Sequence, residues 1–199
     1  MHINQTYKLK NGNCQYNYFK CIQYMQQQGK IIYGSSYRIH PSQRQQLYRL
    51  LVYATANKEE CALYGIDLKK GLLVSGPEGS GKTSLMHLLK PFFQLNQQYF
   101  IRSIREITFC YKRFGNYTLQ QYLFHHLPYC FDDLGLEPLK LDTEVMKELL
   151  QYRFMHAADN THISTRLNKG ALIEKYGKDF TELLYRKLNH IEFTNPFNL

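Results

Sequence analysis

The run Gly76-Pro77-Glu78-Gly79-Ser80-Gly81-Lys82-Thr83 constrains the fold more than any other part of this chain. It follows Gly71-Leu72-Leu73-Val74-Ser75, an apolar stretch that predicts a buried strand. It leads into a helix expected over Thr83–Phe93. A GxxxxGK(S/T) run between a strand and a helix is a phosphate-binding loop. Its glycines let successive backbone N–H groups point inward at phosphate oxygens. The helix that follows adds its free N–H groups and the positive end of its dipole. The expected ligand is a nucleoside triphosphate with Mg²⁺, Gly76 to Thr83 forming the cradle. Lys82 is expected at the β- and γ-phosphates, and the Thr83 hydroxyl on the metal. A Gly-rich loop that merely turns is the plain alternative.

The rest of the body alternates strands and helices. Strands are expected at Tyr99–Arg102, Leu127–Phe131 and His162–Thr165, with a fifth at Ile191–Phe193. Helices are expected at Glu106–Phe114, Lys169–Tyr176 and Asp179–Leu188. Thr143–Ala158 reads as an amphipathic helix through Val145, Met146, Leu149, Leu150 and Phe154. Such alternation predicts a three-layer αβα fold on a five-stranded parallel sheet. Pro128-Tyr129-Cys130-Phe131-Asp132-Asp133 is an apolar strand ending in two acids, at the strand edge where such sheets place ligands. Asp132 is expected to hold Mg²⁺ and Asp133 to act as general base on the attacking water. The alternative is that the acid pair only opens a solvated loop.

Upstream, residues 1–30 are rich in Gln, Asn and Tyr and read as an extension, partly helical around Tyr18–Gln28. Ile31–His40 reads as a short extended segment. Pro41 suits the first turn of a helix to about Tyr64, with Leu47, Leu50, Leu51 and Ala54 on its apolar face. The expected domains are a basic extension at 1–30 and a P-loop domain at 31–199.

The net charge of +9 is unevenly spread: residues 1–58 contain no Asp or Glu but carry Lys8, Lys10, Lys20, Lys30, Arg38, Arg44, Arg49 and Lys58. Within residues 7–24, Tyr7, Tyr16, Tyr18, Phe19 and Tyr24 interleave with Lys8, Lys10 and Lys20. This basic head suits unpaired nucleic acid, a docking protein, or a tail whose aromatics pack on the body. The cysteines (Cys14, Cys21, Cys61, Cys110, Cys130) form no CxxC pair, and neither His125-His126 nor His156 with His162 has metal-ligand spacing. Reduced cysteines and no zinc site are expected. No apolar run approaches the roughly 20 residues of a membrane helix. The first residues lack the apolar core of a secretory signal. The expected location is the cytoplasm.

At Asp132-Asp133-Leu134-Gly135, at Gly65-Ile66-Asp67-Leu68-Lys69-Lys70-Gly71 and at Tyr176-Gly177, the sequence resembles the DnaC/IstB-type ATPases. These are helicase-loader-like members of the AAA+ superfamily. The resemblance covers about residues 31–193. It implies a five-stranded sheet in the AAA+ strand order, ATP as the nucleotide, and work beside replication, transposition or mobile-element machinery; further copies of the same chain, as a homo-oligomer, are one candidate partner. Expected partners are single-stranded DNA or a helicase- or transposase-type protein. Two positions depart from the family. Arg166, in Ser164-Thr165-Arg166-Leu167, stands where the family carries a sensor Asn. It is expected to contact phosphate directly or to point elsewhere. Asp179 and Leu183 stand where the family carries arginines after Tyr-Gly, and Arg186 lies three residues further on. No separate helical lid is expected after Ile191–Phe193.

Three functions follow as expectations. The first is an ATPase, with Lys82, Asp133 and Arg166 as catalytic residues, that switches a nucleic-acid machine. The second is a nucleotide-dependent adaptor with little hydrolysis, motivated by the two departures. The third is a P-loop kinase. It is disfavoured because no arginine-rich lid cluster follows Asp133.

Overall fold

The computed structural model describes residues 1–10, 12–123, 127–157 and 159–194. His125-His126, Ala158 and residues 195–199 of the expected domain lie outside them. The chain divides into two compact units. One takes residues 1–66 with 84–98; the other takes 67–83 with 99–195.

The first unit opens with an antiparallel hairpin, β1 (Tyr7–Lys10) and β2 (Asn13–Tyr16). It is followed by α1 (Tyr18–Tyr33), capped by Asn17 accepting from the Lys20 amide at 3.1 Å. The head is thus a hairpin and a helix, and its aromatics do pack: Tyr18 lies against Tyr48, and Tyr16 and Tyr24 lie against Phe92. The extended segment expected at Ile31–His40 is absent. Ile31–Tyr33 form the last turn of α1, which stops at Gly34, φ 99°. The single helix expected from Pro41 to Tyr64 is two, α2 (Arg44–Ala54) and α3 (Lys58–Leu63). The break has a local cause. The Thr55 hydroxyl donates back to Leu51 O at 2.8 Å, Ala56 turns to φ 50°, and the Asn57 side chain caps α3 at the Glu60 amide. From Ser84 onward, α4 (Lys82–Leu89) belongs to this unit. It ends four residues earlier than expected because Pro91 cannot extend it, and Lys90–Phe92 form a 3₁₀ turn. Cys21, Met25, Leu50, Leu51, Leu89 and Phe92 are buried in this unit.

The second unit is the expected fold class: a five-stranded parallel sheet flanked by helices. Its strands are β3 (Gly71–Ser75), β4 (Phe100–Ser103), β5 (Tyr129–Leu134), β6 (Thr161–Thr165) and β7 (Leu188–Glu192). The spatial order is β4-β5-β6-β3-β7, every neighbouring pair parallel. β3 lies between two partners and is fully buried, which explains its unbroken apolar sequence. The helices of this unit are α5 (Ile104–Phe114), α6 (Asn116–Leu123), α7 (Lys140–His156), α8 (Lys169–Tyr176) and α9 (Lys178–Lys187). No helix was expected at α6. Val145, Met146, Leu149, Leu150 and Phe154 of α7 join Leu73, Phe131 and Ile163 of the sheet in one apolar cluster. Each such side chain contributes roughly 1.5–3 kcal/mol by leaving water. Among the described residues no helix is long and apolar enough to cross a membrane.

Strand order reverses between β3 and β6, since β4 and β7 lie on opposite sides of that pair. In open parallel sheets the crevice outside the carboxyl ends at such a reversal is where ligands bind. The glycine-rich loop follows β3, the two acids end β5, and Arg166 follows β6. All three arrive at that edge.

Candidate functional site

Residues Gly76–Gly81 connect β3 to α4, which starts at Lys82. Gly79 and Gly81 take φ of 76° and 80°, a region that favours glycine. At Gly76 a Cβ would overlap the Phe193 carbonyl, so the loop's first residue passes too close to the chain after β7 to carry a side chain. Its amide donates to Thr165 O at 3.2 Å, tying the loop to the end of β6. The Ser80 amide and hydroxyl both donate to Pro77 O, at 3.3 and 2.8 Å, closing the curl. The amides of Glu78 and Gly79 make no main-chain hydrogen bond within the described residues.

The ammonium of Lys82 sits inside this curl. It donates to Gly76 O at 2.7 Å, to Pro77 O at 2.8 Å and to Ser80 Oγ at 3.3 Å, and the side chain is 6% exposed. Burial lowers its pKa, while Asp133 opposes the shift. A buried cation held by neutral dipoles favours an anion as its neighbour.

Thr83 and Asp132 meet directly. The Thr83 hydroxyl donates to Asp132 Oδ2 at 2.9 Å and to Oδ1 at 3.1 Å. The Ser164 hydroxyl donates to Asp132 Oδ1, and Ser164 Oγ in turn accepts from the Asp133 amide at 3.0 Å. Ser164 of β6 therefore holds both acids. Sequence reasoning missed it, although a serine in a strand otherwise expected to be buried was the available signal. Asp133 sits at φ 64°, within the interruption of the β5–β6 register between Phe131 and Leu134. Left-handed backbone at a residue with a side chain costs on the order of 1–3 kcal/mol and clusters at functional sites. Burial, then the adjacent Asp132, raises the Asp133 pKa, and Arg166 opposes the rise.

Arg166 turns onto the loop itself. One guanidinium nitrogen lies 2.7 Å from Glu78 Oε2, the other 3.9 Å from Asp133 Oδ2, and its buried Nε–H has no acceptor among the described residues. Glu78, expected as part of the nucleotide-binding cradle, is its ion-pair partner. Asp179 is in the first turn of α9 and Leu183 packs against the apolar cluster, so neither supplies a cation.

A hydroxyl and a carboxylate, side by side at the mouth of a phosphate-type loop, are the sparse oxygen donors that suit Mg²⁺ completed by water and substrate oxygens. No group of three or more His, Cys, Asp or Glu side chains is placed to hold a metal among the described residues. The donor set therefore fits Mg²⁺ brought with a phosphate ligand better than a metal caged by protein alone.

No protein-family model matches the sequence, and no curated protein does. Solved structures do share its fold. The chain superposes on the DnaC helicase loader with a TM-score of 0.63 and 18% identity, over 80% of this chain and 94% of that one. DnaI gives 0.57 and 22%, over 80% and 89%. AMPPCP-bound DnaA from Aquifex aeolicus gives 0.54 and 13%, over 80% and 49%. At these identities the likeness establishes the fold alone, a parallel sheet flanked by helices arranged as in the DnaC helicase loader structure.

Proposed function

We propose that the chain binds ATP with Mg²⁺ at Gly76–Thr83 and Asp132, and uses nucleotide state to switch a nucleic-acid machine as a helicase-loader-like ATPase. The observation that carries this is the Thr83–Asp132 contact beside a buried Lys82, on a glycine-rich loop between β3 and α4. The shared fold with a helicase loader and with DnaA supports the replication setting.

The residues divide the work. The loop amides and the Lys82 ammonium bind phosphate oxygens, the ammonium exchanging carbonyl partners for anionic ones. Thr83 and Asp132 would hold Mg²⁺, which supplies positive charge against the phosphate tail. Asp133 is the base. Its raised pKa suits a group that must take a proton from water, and its amide is fixed by Ser164. Arg166 is the cation nearest to Asp133, and it engages phosphate on leaving Glu78. The chain would act in the cytoplasm, as a homo-oligomer, on single-stranded DNA or a helicase- or transposase-type protein.

The Glu78–Arg166 ion pair favours a second reading, the adaptor. In this arrangement the guanidinium is committed to the loop and also lies near the base, both of which slow hydrolysis. ATP turnover of the wild type against Asp133→Asn separates the two. A fall of about 100-fold or more, on the order of a general-base contribution, supports the ATPase. Equal, near-background turnover with ATP still bound selects the adaptor. Lys82→Ala tests the site itself. Titration calorimetry with ATP·Mg²⁺ is expected to show affinity reduced by about 100-fold or more, as removing a buried cation from a phosphate site costs several kcal/mol. Unchanged affinity overturns the reading.

A further inference from the structure

In the first unit, the β1–β2 hairpin and α1 enclose an open groove of about 780 Å³, lined among others by Tyr7, Lys8, Gln15, Tyr16, Lys20 and Gln23. Its lining holds two lysines and no carboxylate, and the sequence has no acid before Glu59. The side chains of Lys8, Lys20, Gln15 and Gln23 make no hydrogen bond or ion pair among the described residues. They are exposed donors and acceptors with nothing internal to satisfy. Tyr7 and Tyr16 are cross-strand partners whose rings lie 5.3 Å apart, and Tyr16 is braced edge-on by Phe92 at 6.3 Å.

We propose that this groove binds single-stranded nucleic acid, with its lysines on phosphates and its tyrosine rings and glutamine amides on bases. The neighbouring cross-strand pairs Tyr7–Tyr16 and Lys8–Gln15 bring rings, amide and cation to the groove from the hairpin, and α1 brings Lys20 and Gln23. Stacking faces with flanking cations suit unpaired bases, because every base offers a π-face and every linkage a charge. The amides add hydrogen bonds to base edges that a duplex would hide. The Tyr16 hydroxyl is a neutral hydrogen-bond donor at physiological pH, as tyrosines ordinarily are. The inference deepens the nucleic-acid part of the proposed function, and stands apart from its ATP site.

The test is fluorescence anisotropy of the full chain, without nucleotide, on labelled (dT)₂₀ and (rU)₂₀. The Lys82→Ala protein is run alongside, so failure of the ATP site leaves this result readable. Wild type and Lys82→Ala are expected to bind alike. The Lys8→Ala/Lys20→Ala double variant is expected to flatten the slope of log K against log salt by about 1.4, near 0.7 for each phosphate no longer neutralised. Tyr16→Leu is expected to weaken binding about tenfold at an unchanged salt slope, as removal of a stacking ring does. A control, Lys140→Ala/Lys187→Ala in the other unit, removes the same charge. Circular dichroism melts confirm that each variant folds. Wild type that binds neither strand overturns the proposal. So does a control pair that weakens binding as much as the groove pair, which would mean diffuse charge. So does a groove pair that binds like wild type, which would mean that the strand is bound elsewhere on the chain. Preference for (dT)₂₀ or (rU)₂₀ identifies DNA or RNA as the source of the strand.

Discussion

Ser164 shows how one hydroxyl can govern a site it does not itself perform chemistry in. Its Oγ bonds Asp132 on one side and the Asp133 amide on the other, so both acids depend on one rotamer. Ser164→Ala leaves a buried carboxylate oxygen short of a donor. It is expected to raise the Mg²⁺ concentration needed for half-maximal ATP binding by about tenfold, the usual cost of removing a partner behind a metal ligand. Ser164→Thr, which keeps the hydroxyl, is expected to stay near wild type, and Mg²⁺ titrations followed by calorimetry check both. Glu78 acts at the same scale. Glu78→Gln removes the charge that holds Arg166, and turnover is expected to rise several-fold if the guanidinium then reaches phosphate. Unchanged or lower turnover in steady-state assays would assign the pair to loop rigidity alone. Exposed Glu78 makes any stability change small.

At the scale of elements, β6 is unusual because a fully buried central strand reads Thr-His-Ile-Ser-Thr. Each polar side chain has a partner. Thr161 accepts from the buried Arg153 at 2.9 Å, His162 Nδ1 accepts from the Leu72 amide at 3.2 Å, and Thr165 donates to Leu134 O at 2.6 Å. Burial holds the His162 pKa down to about 3 against an ordinary 6.5. Its folded-state pKa lies below the unfolded one, so its contribution is complete above pH 6.5 and is lost as pH falls toward 3. Urea melts are expected to lose about 2 kcal/mol from this group between roughly pH 7 and pH 5. His162→Gln, which keeps an acceptor but cannot be protonated, is expected to lose most of that dependence. Equal pH slopes in the two proteins would show that other groups carry it.

For the molecule as a whole, a ligand that binds only the folded state stabilises it by mass action. ATP·Mg²⁺ at about 100 times its Kd adds about 2.7 kcal/mol. For a chain of this length that raises Tm by roughly 5–10 °C. Scanning calorimetry is expected to show the rise in wild type and at most about 1–2 °C in Lys82→Ala, whose affinity is expected to be about 100-fold or more weaker. The two compact units also mark what was readable in advance. The sheet unit was legible nearly strand by strand, because β3 reads as a short apolar run, strands and helices alternate along the chain, and amphipathic helices repeat every 3.6 residues; the buried polar strand β6 was placed by that alternation. The first unit was legible mainly as charge and aromatic content. Its hairpin hid in a polar stretch where Asn11-Gly12 was the signal, and its broken helix depended on Thr55 and Asn57 competing for backbone groups.

The sequence alone marked the glycine-rich loop, its lysine and threonine, and the acid pair as the candidate site. Their chemistry is local, set by glycine backbone freedom and by fixed spacing between a strand and a helix. The tertiary structure decided that Thr83 meets Asp132, that Ser164 clamps both acids, and that Arg166 closes on Glu78. Those partners lie tens of residues apart along the chain. Only the order in which the strands pair brings their ends to one edge of the sheet.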